Sequence, residues 1–146
     1  IATASTPTIF LHSNPFTYKG VTTMPQRITY EWTVEKTVRY TEPVTFPDGS
    51  VETDCEDIVG TAAYDSLADA LRTFNPTERP TKDGTVRDVL VLVRHAWNAI
   101  DGDLDDRAWA YVTDGILPTH FSDAWGNQCA LTVPKYLRTE YDRATR

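Results

Sequence analysis

From Ile28 to Tyr40 the chain alternates with a period of two. Ile28, Tyr30, Trp32, Val34, Val38 and Tyr40 fall on even positions, and Thr29, Glu31, Thr33, Glu35, Thr37 and Arg39 on odd ones. Successive side chains of extended backbone point to opposite faces. This segment is therefore a strand with one apolar, buried face and one polar face, and no helix can segregate these residues in that way. Lys36 alone interrupts the apolar row and marks a bulge or a turn.

The neighbouring segments supply partners for such a strand. Val44-Thr45-Phe46 runs into Pro47-Asp48-Gly49 and out through Val51. Proline presets the first turn dihedral and glycine accepts a positive φ, so this is a hairpin. Val89-Leu90-Val91-Leu92-Val93 is apolar at both parities, the pattern of a central strand covered on both sides. Arg107 to Val112 is a further strand, with an acidic connector over residues 98–106. Leu67, Ala70, Leu71 and Phe74 follow helical spacing, Ser66 stands three residues before Asp69 as a cap, and Asn75-Pro76 stops the helix. A second helix starts at Pro134, with Leu137 and Tyr141 as its stripe. Residues 77–84 read as a loop and 116–131 as irregular. The fold class these elements imply is α+β: a small antiparallel sheet packed with two short helices, in one domain over residues 24–146.

Residues 1–23 read as an N-terminal arm outside that domain. They contain no acid and a single charge, at Lys19, and sustain neither a helical nor a strand period. Met24 is the only methionine, and the codons for Lys19-Gly20-Val21 can be written to contain a ribosome-binding-like GGAG. Two readings follow: translation starting at Met24, or a flexible native arm.

At 146 residues the chain can bury one core without staples. Four Trp, seven Tyr and five Phe give it large surfaces to bury. Its net charge of -7 argues against nucleic acid, which selects a basic stripe. No apolar run approaches the ~20 residues of a membrane span. Cys55 and Cys129 match no zinc or redox spacing and read as free thiols.

The residues with chemistry are few. Asp101, Asp103 and Asp105 alternate as in the first half of a calcium-binding loop and are the candidate metal ligands. The pattern then departs: Asp106 stands where glycine is needed and Val112 where a bidentate glutamate is needed. His95 follows an apolar strand and reads as a hydrogen-bonded structural histidine. His120, Asp123 and Cys129 can be drawn as a triad, but no nucleophile motif surrounds them. The acidic run Asp54-Cys55-Glu56-Asp57 reads as a solvated strand end. Lys135, Arg138, Arg143 and Arg146 beside Tyr136 and Tyr141 give the last helix a basic side. No glycine-rich phosphate loop is present, and no cofactor is implied. Trp97, Trp109 and Trp125 exceed what a small core needs and are candidate partner-binding anchors.

The run Val89-Leu90-Val91-Leu92-Val93-Arg94, the acidic connector, Arg107-Ala108-Trp109-Ala110-Tyr111-Val112-Thr113-Asp114-Gly115-Ile116-Leu117-Pro118, then Phe121, Val133-Pro134 and Glu140, resembles small uncharacterised proteins encoded by phages of actinobacteria. Tyr30-Glu31-Trp32-Thr33-Val34-Glu35 resembles their first strand. The resemblance covers about two thirds of the chain, and residues 77–84 depart from it. It implies action in the bacterial host cytoplasm and transfers no catalytic residue. The expectation is a non-enzymatic accessory protein that binds a host or phage protein. The alternatives are a metal-dependent hydrolase using the clustered aspartates and a minor virion component.

Overall fold

Two 15-residue strands carry the architecture. The computed structural model describes residues 9–10, 16–18, 21–23, 25–123 and 127–146. The first of the two long strands, Gln26–Tyr40, is the alternating segment; the second, Gly84–Asn98, contains the apolar run. They pair antiparallel over their whole length, from Gln26 opposite Asn98 to Tyr40 opposite Gly84. In chain order the strands are β1 (Ile9–Phe10), β2 (Phe16–Tyr18), β3 (Val21–Thr23), β4 (Gln26–Tyr40), β5 (Val44–Thr45), β6 (Val51–Glu52), β7 (Glu56–Tyr64), β8 (Arg79–Pro80), β9 (Gly84–Asn98), β10 (Leu104–Val112), β11 (His120–Ser122) and β12 (Gln128–Thr132). The helices are α1 (Leu67–Thr73) and α2 (Lys135–Ala144).

The main sheet runs β1-β4-β9-β10-β11-β12. β7 joins β4 beside β1, and β8 joins β9 beside β10. Every pairing in it is antiparallel. β2 pairs with β3, and β5 with β6, as separate two-stranded ribbons. In the second ribbon Gly49 has φ of 88°, and Asp48 Oδ1 accepts from the Ser50 N–H, as the Pro-Asp-Gly signal requires.

One face of the sheet makes the main core; on the other, Val91 and Val93 are buried as well. Ile28, Tyr30, Trp32 and Val34 of β4 lie beside Leu90, Leu92 and Ala96 of β9 and Ala108 and Ala110 of β10. The small side chains at 96, 108 and 110 leave room for what packs above them: Leu67 and Ala70 of α1, Leu137 and Tyr141 of α2, and Leu117, Phe121 and Val133. Trp32 stacks on Tyr141 at 6.3 Å and Tyr30 on Phe121 at 6.1 Å, within the range of favourable offset pairs. Glu140 joins three elements. Its Oε2 accepts from the Leu67 N–H at the start of α1 (3.1 Å), and its Oε1 accepts from the Trp32 indole (3.3 Å). Ser66 Oγ completes the α1 cap by accepting from the Asp69 N–H.

Several expectations change. The antiparallel sheet and two short helices of the α+β expectation are present, but the sheet is eight-stranded and strand outweighs helix, so the fold is closer to mainly β. β7 was hidden because Glu56–Tyr64 is exposed along nearly its whole length and so shows no alternation of burial. The register irregularity anticipated at Lys36 is present between Lys36 and Thr37, but the extra residue is Val59 of β7. Residues 77–84 contain β8, and 116–131 contain β11 and all but the last residue of β12 where irregular chain was expected; their pairings are too short to leave a periodic signature. β10 begins at Leu104, inside the acidic connector. Within the presumed arm, Ile9 and Phe10 pair with Ile28 and Arg27, which joins that stretch to the main sheet.

Candidate functional site

Both helices lie on the apolar face of the sheet. The other face carries the odd residues of β4 and their partners, and strand register places them in rows. Arg27, Trp97 and Leu104 form one row; Thr29, His95 and Arg107 the next; then Glu31, Val93 and Trp109; then Thr33, Val91 and Tyr111. Side chains in adjacent rows sit within reach of one another.

Two diagonal hydrogen bonds use that reach. His95 Nε2 lies 2.7 Å from Glu31 Oε1, and the Trp97 indole donates to Thr29 Oγ1 at 2.8 Å. The Arg27 guanidinium sits 5.3 Å from the centre of the Trp97 ring, and the His95 and Trp97 rings are 5.5 Å apart. The result is a continuous series from Arg27 through Trp97 and His95 to Glu31. His95 is 7% exposed. Its Nδ1 and the Nε of Arg27 are buried without a hydrogen-bond partner among the described residues.

The pair shapes its own electrostatics. The hydrogen bond with His95 holds the Glu31 carboxyl below its usual range; burial opposes this, and electrostatic attraction from the His95 and Arg107 side chains reinforces it. Glu35, two rows away, is buried, and that burial pushes its carboxyl up. Because the folded state lowers the Glu31 value, the stabilisation is present above the unfolded carboxyl value of about 4.3 and is lost as pH falls through the folded one. Glu31→Gln is expected to remove this dependence. Its melting temperature should fall less steeply than that of the parent between about pH 5 and pH 3. The difference should be below about 1 kcal/mol, because the Glu31 side chain is 35% exposed. Parallel slopes in thermal denaturation across that range would refute the pairing.

Of the three tryptophans singled out from sequence, Trp97 and Trp109 lie on this face, two rows apart, and both are half-buried. They differ in setting: Trp97 is held by Arg27, Thr29 and His95, whereas Trp109 stands beside exposed residues of β10, Arg107 and Tyr111 (42% exposed). Trp125 lies outside the described residues.

The cation reading of Asp101, Asp103 and Asp105 finds no support in the geometry. Among the described residues, no group of three or more His, Cys, Asp or Glu side chains gathers to hold an ion. Asp101 Oδ1 instead accepts from the Asp103 N–H at 2.9 Å and closes the turn between β9 and β10, and Asp105 is the extra residue where the register of β10 shifts. The triad drawn from His120, Asp123 and Cys129 does not form. His120 Nδ1 bonds Thr119 Oγ1, Asp123 Oδ1 accepts from the Asn127 N–H, and the Cys129 thiol donates to the Phe121 carbonyl. Both cysteines are free and half-buried.

Sequence reasoning missed the Glu31–His95 pair because its members lie 64 residues apart and only the β4–β9 register joins them. The polar side of the strand carries two acids, Glu31 and Glu35, and nothing local singles out Glu31. The Glu140 bridge was missed for the same reason. Compared with known proteins, the chain matches no family model, no curated relative and no solved structure.

Proposed function

We propose that the chain is a phage-type accessory protein without chemistry of its own, which binds a host or phage protein through the β10 side of its helix-free face. One observation carries this reading: Trp109, Tyr111 and Arg107 stand in neighbouring rows on the face that neither helix covers. These are the residue types most enriched among binding hot spots. Trp97 and Leu104 continue the same face toward the β9–β10 turn. The core side chains behind it fix the strands and so preorganise the contact.

The net charge of -7 supports a protein partner over nucleic acid. No helix among the described residues is long and apolar enough to cross a membrane. The place of action under this reading is the bacterial host cytoplasm.

The test uses affinity-tagged parent protein and an Arg107→Ser/Tyr111→Ser variant, both expressed in actinobacterial cells with and without phage infection. Both substituted positions are exposed, so the variant should melt within about 2 °C of the parent. A specific protein recovered with the parent should fall at least tenfold with the variant, as loss of about 1.4 kcal/mol or more at a hot spot requires. Equal recovery of every protein by both baits would sink the proposal. Recovery of the chain in purified particles at a fixed copy number, with no partner in infected cells, would favour a virion component instead.

A further inference from the structure

On the opposite layer, α1 and α2 leave an open cleft of about 710 Å³ between them. Its accessible apolar lining is Ala68 of α1 with Tyr136 and Ala144 of α2, above the fully buried Leu67. Along its edge stand Lys135 and Arg143, both lining it, eight residues and about 12 Å apart along the axis of α2. Both are exposed, and neither joins an ion pair among the described residues. In a chain of net charge -7 this is a local reversal of sign around an apolar floor.

The carboxylate between the two cations, Glu140, faces inward and is engaged by the Leu67 N–H and the Trp32 indole. It leaves the rim cations free of it but still disfavours an anion centred in the cleft. A compact phosphate therefore fits poorly. Two separated negative charges with an apolar group between them fit well.

We propose that this cleft binds an acidic peptide segment of a partner protein, in extended form, with carboxylates four residues apart and an apolar side chain midway. Four residues of extended chain span about 13 Å, which matches the Lys135–Arg143 spacing. The central side chain then covers Ala68, Tyr136 and Ala144, and the two carboxylates meet the two cations. The site is separate from the β10 face, and its failure would leave that surface untouched.

The experiment titrates the isotope-labelled full chain with the capped peptide Glu-Ala-Leu-Ala-Glu and follows amide resonances by NMR. Shifts should concentrate at Ala68, Thr139 and Ala144. Apparent Kd should rise at least tenfold for Gln-Ala-Leu-Ala-Gln, and also for the parent peptide on a Lys135→Glu/Arg143→Glu chain. It should rise several-fold for Glu-Ala-Ser-Ala-Glu and with added salt. Absence of shifts at those amides, or equal binding of the uncharged peptide, would overturn the proposal. So would tighter binding of an oligothymidylate. Shifts that appear on raising protein concentration alone, and that vanish with the charge-reversed variant, would assign the cleft to a second copy and overturn it as well.

Discussion

Trp32→Ala is expected to lower the melting temperature by about 8–15 °C, corresponding to a loss of roughly 3–5 kcal/mol in a chain of this size. Trp32 is 2% exposed and touches every layer of the structure. Its ring stacks on Tyr141 of α2, its indole N–H reaches Glu140, and Glu140 in turn caps α1. Truncation leaves a cavity under both helices and removes one of the two groups that orient Glu140. Trp32→Phe separates these effects. It keeps most of the buried ring but deletes the donor, so a loss nearer 1–2 kcal/mol is expected. Thermal unfolding followed by circular dichroism makes the comparison. Equal losses for the two variants would show that the hydrogen bond, not the packing, dominates.

Gly84→Ala is the second large effect, expected to cost about 2–3 kcal/mol although it adds one methyl group. Gly84 closes the long ladder opposite Tyr40, where the turn from β8 enters β9. A Cβ there would run into the Arg39 carbonyl and come within 2.9 Å of Tyr40 Cα. Backbone on both sides cannot move without opening the ladder: Thr41 N–H donates to Asp83 O, and Thr81 Oγ1 bonds both the N–H and the carbonyl of Gly84. Close approach, rather than a positive φ, makes glycine necessary here. Native-state hydrogen exchange should show protection lost first at Tyr40 and Thr85. A variant of parental stability would mean that the β4–β9 ladder ends before Gly84.

What was legible in the sequence was what repeats locally. Alternation from Ile28 to Tyr40 exposed β4, the apolar run exposed the middle of β9, and Ser66 with the 67–74 spacing exposed α1. Leu137 and Tyr141, read as the stripe of the last helix, are both buried in α2. Strands at the margins were not legible. β7 is exposed on both faces, with Ile58 and Val59 more than half open, so no burial pattern is imposed on its residues. β11 and β12 are short and held by a few pairs.

The proposed contact face was legible only in part. Trp97 and Trp109 were singled out as residue types, but their sharing of one face follows from the β9–β10 register, which includes a shift at Asp105. Tyr111 and Arg107 could have been added from parity alone, since both share the parity of Trp109 on one strand. The Glu31–His95 pair needed the alignment of two strands 64 residues apart, and no local pattern contains it. The alternating aspartates are ambiguous from sequence for a physical reason: acids in a tight turn serve the turn's own N–H groups, as Asp101 does, as readily as they serve an ion.

Site-specific photo-crosslinking gives the most direct test of the contact face. A benzophenone-bearing phenylalanine analogue replaces Tyr111 on β10 in one preparation and Val51, exposed on the remote β5–β6 ribbon, in another. Irradiation in phage-infected cells should yield one discrete adduct from position 111, lost when Arg107→Ser is added, and none of that mass from position 51. No adduct at 111, or the same adducts from both positions, would contradict a partner seated on the helix-free side of the sheet.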